Sequence, residues 1–151
     1  MPMRNEEVAS SLNYLLRSVK DSEEGFRTAS EDVDEPDLKQ LFDEYAEQRR
    51  QFADELKKEA RMLGVEPEEK PSVAGAIHRG WMNLRASVQR GDEKAILSEA
   101  ERGEDRIRDA YEEELQKDLP PSLRAAVQRE FDQIRESHDR IRELRDRPKE
   151  G

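Results

Sequence analysis

The sequence contains no cysteine, which excludes disulfides, zinc–thiolate sites, iron–sulfur clusters and thiol catalysis. Long apolar runs are missing too, and no segment approaches the length needed to span a bilayer. The first residues, Met1-Pro2-Met3-Arg4-Asn5-Glu6-Glu7, hold no apolar signal core, so a cytoplasmic protein is expected. The few aromatics offer no stacking platform for single strands. No glycine-rich phosphate loop and no recognisable Ser/His/Asp spacing is present. No stretch alternates with a period of two, so no strands are predicted.

What the chain has is charge. Acidic residues number 37 against 27 basic, a formal net charge of −10, so any basic patch would act against the field of the whole protein. Nucleic acid and anionic membrane are poor partners on that ground. A chain of 151 residues that is only 33% hydrophobic fits one domain and excludes a thick α/β core.

So polar a composition is compatible with disorder, and periodicity decides against it. Four segments carry one apolar stripe each, in steps of three and four: Val8, Leu12, Leu15, Val19, Phe26, Ala29 and Val33; Leu38, Leu41, Tyr45, Phe52, Leu56 and Leu63; Ile96, Ala100, Gly103, Ile107, Tyr111 and Leu115; and Leu123, Val127, Phe131, Ile134, His138 and Ile141. Each is the signature of a helix with one buried face. Asp34-Glu35-Pro36, Gly64-Val65-Glu66-Pro67, Arg90-Gly91-Asp92 and Leu119-Pro120-Pro121-Ser122 punctuate them. Pro36 suits a first helical turn, and Asp92 an N-cap. The predicted helices are 5–33, 36–63, 92–118 and 122–146.

The connections are unequal. Short turns join the first pair and the last pair, whereas residues 64–91 separate the pairs. A connection of that length can run back along the bundle and make helices two and three parallel, the one-crossover arrangement of ferritin-like folds. It should carry its own helix at 72–89, with Val73, Ile77, Trp81, Leu84 and Val88 on one face. Trp81 is expected in the core beneath this crossover; the alternative is an anchor in a homodimer interface.

Polar residues that interrupt the stripes are the candidate functional groups. Glu23 falls between Val19 and Phe26, and its neighbour Glu24 would exchange with it on a small helix rotation. Gln48 and Arg49 flank the second stripe, Glu104 sits beside Gly103, and Arg135 flanks His138, which lies in line with Ile134 and Ile141. Together they are expected to meet in one polar layer. Each also has a plain reading: a hydrogen-bonded core histidine for His138, a structural salt bridge for Glu104 and a boundary residue for Glu23. The acidic runs at Glu66-x-Glu68-Glu69 and Glu112-Glu113-Glu114 read as solvated faces.

These residues carry a resemblance. Phe42-x-x-Tyr45-Ala46-x-x-Arg49-x-x-Phe52-Ala53 resembles helix two of rubrerythrin-type ferritin-like proteins, Gly103-Glu104 followed by Tyr111 their third helix, and Phe131-x-x-Ile134-Arg135-x-x-His138 their fourth. More closely, Ser72-Val-Ala-Gly-Ala-Ile-His-Arg-Gly-Trp-Met82, Glu101-Arg-Gly-Glu-Asp105 and His138-Asp-Arg-Ile141 are similar to an uncharacterised bacterial domain-of-unknown-function family of ferritin-like four-helix bundles, over nearly the whole chain. The resemblance implies a fold, not an activity.

The departures decide what is expected of it. A ferritin-like di-iron centre takes one Glu from each of two helices and Glu-x-x-His from each of the others. Here those motifs read Arg49-x-x-Phe52 and Arg135-x-x-His138. Arginine has five donors and no acceptor, so it cannot ligate a cation. The other histidine, His78, belongs to the crossover. The expected layer is therefore an ion-paired one, with Arg49 and Arg135 offsetting Glu23 and Glu104, no cofactor, and no catalytic residues. The reading that follows is a non-catalytic bundle, stress-associated or binding a protein partner not identified by the sequence. The alternative is a metal-binding oxidoreductase or metal-storage subunit, holding one transition metal on Glu23, Glu104 and His138.

Overall fold

The computed structural model describes residues 3–67 and 93–147 and is all-helical over them, without strands. Four helices run Asn5–Asp32 (α1), Pro36–Met62 (α2), Glu93–Leu115 (α3) and Pro121–Asp146 (α4). At about 1.5 Å per residue each is roughly 35–42 Å long. The crossover helix expected at 72–89, with His78 and Trp81, lies outside the described residues, as does the Asp92 cap. Among the described residues no helix is long and apolar enough to cross a membrane.

Local chemistry sets the ends. Pro36 occupies the first turn of α2, and the Glu35 carboxylate accepts from the backbone N–H groups of Asp37 and Leu38 (3.2 and 2.7 Å). At its C-terminus Gly64 takes φ +72°, the left-handed conformation that glycine adopts without a Cβ clash. The N–H of Val65 then reaches back to Ala60 O (2.8 Å) and that of Gly64 to Arg61 O (3.1 Å), closing orphan carbonyls of the last turn. Helix α3 stops three residues earlier than the sequence predicts, and Leu119 tucks into the core beyond it.

Neighbouring helices are α1 with α2, α3 with α4, α1 with α3 and α2 with α4; α2 and α3 face one another across the diagonal. Gln48–Gln133, Glu55–Arg129 and Glu59–Ser122 pair in descending register, which makes α2 and α4 antiparallel. Lys117 at the end of α3 reaches Ser11 near the start of α1. Helices α2 and α3 therefore run parallel, the direction expected of a chain with one long connection.

The core follows the stripes, with two rotations. On α2 the buried line is Phe42, Ala46, Arg49, Ala53, Leu56 and Ala60, while Leu41 and Tyr45 lie at its edge and Leu63 is exposed. On α4 it is Leu123, Val127, Glu130, Ile134, Ser137 and Ile141, with Phe131 only partly covered.

Leu56 is almost wholly buried and Met62, on the same helix, is 64% exposed. Urea unfolding of Leu56→Ala is expected to show a loss of ~2–5 kcal/mol through the cavity it opens. Met62→Ala should stay within about 0.5 kcal/mol of the parent chain.

Candidate functional site

Arg49 is the largest fully buried side chain, and it holds the bundle's centre. Its Nη2 donates to Glu104 Oε2 and to Ser137 Oγ, both at 2.8 Å. The Ser137 hydroxyl lies close against the same Glu104 oxygen and within 2.9 Å of Ile134 O. Phe26 and Phe52 cover the guanidinium, their ring centres 5.5 and 5.6 Å from its carbon, which favours the cation electrostatically. One residue from each helix thus converges: Phe26, Arg49, Glu104 and Ser137. Arg49 Nε and Nη1 and Glu104 Oε1 have no hydrogen-bond partner among the described residues.

The structure brings together fewer of the expected residues than the sequence suggests. Arg49 and Glu104 meet, but Glu23 stays at the edge of α1, held by Arg27 (2.7 Å) and Lys20 (3.4 Å) of its own helix. Glu24 is exposed, and Ser22 takes the buried position. Arg135 is also exposed, lying over the Phe131 ring at 5.8 Å, so it offsets no core carboxylate. Gln48 is half-buried and bonds Gln133 across the α2–α4 seam. The reason is rotational: the α4 stripe advances from Ile134 to Ser137, which turns Arg135 outward.

His138 is buried, yet it faces the α3–α4 seam instead of the central layer. Its Nε2 lies 2.5 Å from Asp105 Oδ1 and 3.8 Å from Glu101 Oε1. Its Nδ1 lies 3.3 Å from Asp139 Oδ1. Arg108 Nη1 is 3.4 Å from Nε2 and Arg142 Nη2 3.2 Å from Nδ1, while Arg145 pairs with Glu101. Among the described residues, Glu101, Asp105 and His138 are the His/carboxylate group whose ligand atoms lie close enough to share a metal ion, all within 4.8 Å of one another. The combination Glu23, Glu104 and His138 is not assembled.

Two turns along the core lies a second polar layer that the sequence reading misses. Tyr111 donates its hydroxyl to Glu130 Oε1 at 2.6 Å, both groups fully buried. Burial, reinforced by the facing Glu55 carboxylate, raises the Glu130 carboxyl well above its ordinary range. Glu55 goes the other way despite partial burial, lowered by Glu130 and Arg129. Of the two, Glu130 is the one that keeps its proton to higher pH. Burial, with Glu130 beside it, also pushes the Tyr111 phenol up, keeping it a donor. The available signal was spacing: Tyr111 follows Glu104 by seven residues and Glu130 precedes Ser137 by seven, so both lie on the inner faces of their helices.

The sequence profile of the family described as Domain of unknown function (DUF2383) matches residues 7–117, which span three of the four helices and the long connection. The chain belongs to this family. No curated protein matches it. The DUF2383 description assigns no chemistry, so the site has to be judged on its residues. A di-iron centre does not fit them: Arg49, a pure donor, fills the space between the helices and consumes Glu104, while Phe52 closes the position next to it.

Removing one member of the central pair leaves a buried charge alone, at a cost of ~3–5 kcal/mol. Arg49→Met is therefore expected to destabilise strongly, and Arg49→Met with Glu104→Gln to regain much of the loss in a double-mutant cycle by denaturant unfolding. Arg135→Met, at an exposed position, should change stability by no more than about 0.5 kcal/mol.

Glu130 gives a pH dependence of definite sign. Its carboxyl is raised in the folded chain, so folding retains a proton that the unfolded chain releases above pH ~4.3. Its contribution is fully present below that pH and is lost as pH rises toward the folded-state value, by up to ~1.4 kcal/mol per unit. Glu130→Gln, which imitates the neutral acid, should flatten stability against pH across this window and stabilise the chain above it. Unfolding curves collected from pH 4 to 8 test this; parallel profiles for parent and variant would refute it.

Proposed function

We propose that this DUF2383 chain is a non-catalytic, ferritin-like helical bundle whose ancestral metal layer has given way to an ion pair, and that it acts through its surface as a binding protein in the cytoplasm. The observation that carries this reading is the buried Arg49–Glu104–Ser137 layer, in which the guanidinium and the carboxylate of the bundle centre hold one another. Groups paired in this way are withdrawn from acid–base work and from cation binding. The parallel course of α2 and α3 supports the ferritin-like assignment, since one long crossover produces it. The acidic exterior favours basic or polar protein surfaces over nucleic acid and anionic membrane. A stress-associated role extends the reading by analogy of fold alone.

Iron loading tests it. Full-length protein is given two Fe(II) per chain without oxygen and then exposed to air. The expected outcome is no oxo-bridged diferric absorbance and no catalytic iron oxidation. Formation of a diferric centre that disappears in Glu104→Ala would overturn the proposal in favour of a metal-dependent oxidoreductase or storage subunit.

A further inference from the structure

We infer that Glu101, Asp105 and His138 form a mononuclear divalent-cation site, of the class that takes zinc, in the seam between α3 and α4. This inference is independent of the reading above. It concerns a different face of both helices, and it stands whether or not the central ion pair is what defines the protein's role.

The donor set comes first. Glu101 and Asp105 are one helical turn apart on α3 and project to the same side, and His138 approaches them from α4. One imidazole nitrogen and two carboxylate oxygens suit zinc and its first-row neighbours, whereas calcium and magnesium prefer oxygen alone. With metal–ligand bonds of ~2.1 Å and a tetrahedral angle, neighbouring donor atoms should lie about 3.4 Å apart. The observed separations from Nε2, 2.5 Å to Asp105 and 3.8 Å to Glu101, fall on either side of that figure. Small rotamer adjustments would equalise them.

The histidine is presented as a ligand would be. It is only 2% exposed, which fixes the ring, yet Nε2 is aimed across the seam at carboxylates of another helix. Asp139 stands at Nδ1 (3.3 Å). Without metal the ring faces Asp105 through Nε2 at 2.5 Å; with an ion on the Nε2 lone pair, the proton moves to Nδ1, where Asp139 accepts it, the usual outer partner of a metal-bound histidine. Asp105 is 40% exposed, so an ion can reach the site from solvent. Three protein donors leave a fourth position for water.

Three guanidinium groups compete for the same oxygens and nitrogens. Arg108 lies 3.4 Å from Asp105 Oδ1 and from Nε2, Arg142 reaches Nδ1 and Asp139, and Arg145 pairs with Glu101. Arg108 and Arg142 are partly or largely exposed and can swing into water, where a cation loses little. A divalent ion entering the seam displaces Arg108 first. Removing Arg108 should therefore tighten metal binding, an effect opposite in sign to that of removing a ligand.

The test is zinc titration by calorimetry on full-length protein stripped with chelator. One ion per chain is expected. Asp105→Asn and His138→Gln should each weaken binding by ~10-fold or more, at least what disturbing an outer-shell partner costs. Arg108→Ala should tighten it several-fold. Asp54→Asn, on the exposed outer face of α2, should leave it unchanged. If His138→Gln fails to fold, Glu101→Gln and Asp105→Asn, on partly exposed carboxylates, carry the comparison. Cobalt(II) in place of zinc should give visible bands that lose intensity in Asp105→Asn. No saturable binding would overturn the assignment. So would binding that the ligand substitutions leave intact, or an Arg108→Ala variant that binds no tighter than the parent chain.

Discussion

The ion pair between Arg49 and Glu104 is the constraint on which the bundle turns. It crosses the diagonal between α2 and α3, whose backbones are not neighbours, and it draws in Ser137 from α4 and Phe26 from α1. Two charges taken fully out of water cost several kcal/mol each, and their attraction offsets that only when the geometry is right. A slip of α3 by one turn against α2 would strand both groups. Apolar neighbours tolerate slips of that kind far better, because leucine against leucine is much the same one turn later. A fully buried pair is thus better suited to fixing register than to adding net stability.

Around that fixed point the interior is arranged in levels. Two turns from the ion pair, toward the end of α3, Tyr111, Glu130 and Glu55 form another polar level. The first level pairs opposite charges, while in the second burial favours the neutral form of Glu130. Their seven-residue separation on α3 and α4 is the repeat at which inner faces recur, so both levels are read from the same side of the same helices. Apolar residues, among them Leu56, Ile107 and Ile134, belong to the same core as Tyr111.

The helices were legible in the sequence because their periodicity is long and uninterrupted enough to outvote the polar composition. Their boundaries fell within three residues, since proline and glycine mark most of them. The unequal connections also predicted the parallel course of α2 and α3. The inner faces were less legible, for a physical reason. Buried stripes here pass through polar residues, and a search for apolar neighbours steps around them. On α1 the stripe runs Val19, Ser22, Phe26, so Glu23 is an edge residue. On α4 it runs Val127, Glu130, Ile134, Ser137, Ile141, so the apolar alternative through Phe131 and His138 is rotated by one residue. That rotation put Arg135 in a layer it does not join and hid Glu130 and Ser137. Arg49 and Glu104 were legible because each lies next to the apolar line of its helix, Arg49 flanking the second stripe and Glu104 beside Gly103 of the third.

That one-residue rotation also separates two kinds of chemistry. On α3, Ala100, Glu104, Ile107 and Tyr111 face inward, while Glu101, Asp105 and Arg108 share the adjacent face. On α4, Ile134, Ser137 and Ile141 face inward, while His138, Arg142 and Arg145 line the seam. Residues one apart differ by about 100° around a helix, enough to pass from a closed interior to a partly wet groove. In the central layer, Arg49 and Glu104 hold one another out of reach of solvent. In the seam, carboxylates, an imidazole and three guanidinium groups crowd within reach of solvent, and several partners can trade places at small cost. A ligand-responsive site needs that second condition: groups held in place by the fold, but with partners weak enough to be displaced. Room for an exchangeable partner therefore lies between α3 and α4, beside the centre that the Arg49–Glu104 pair occupies.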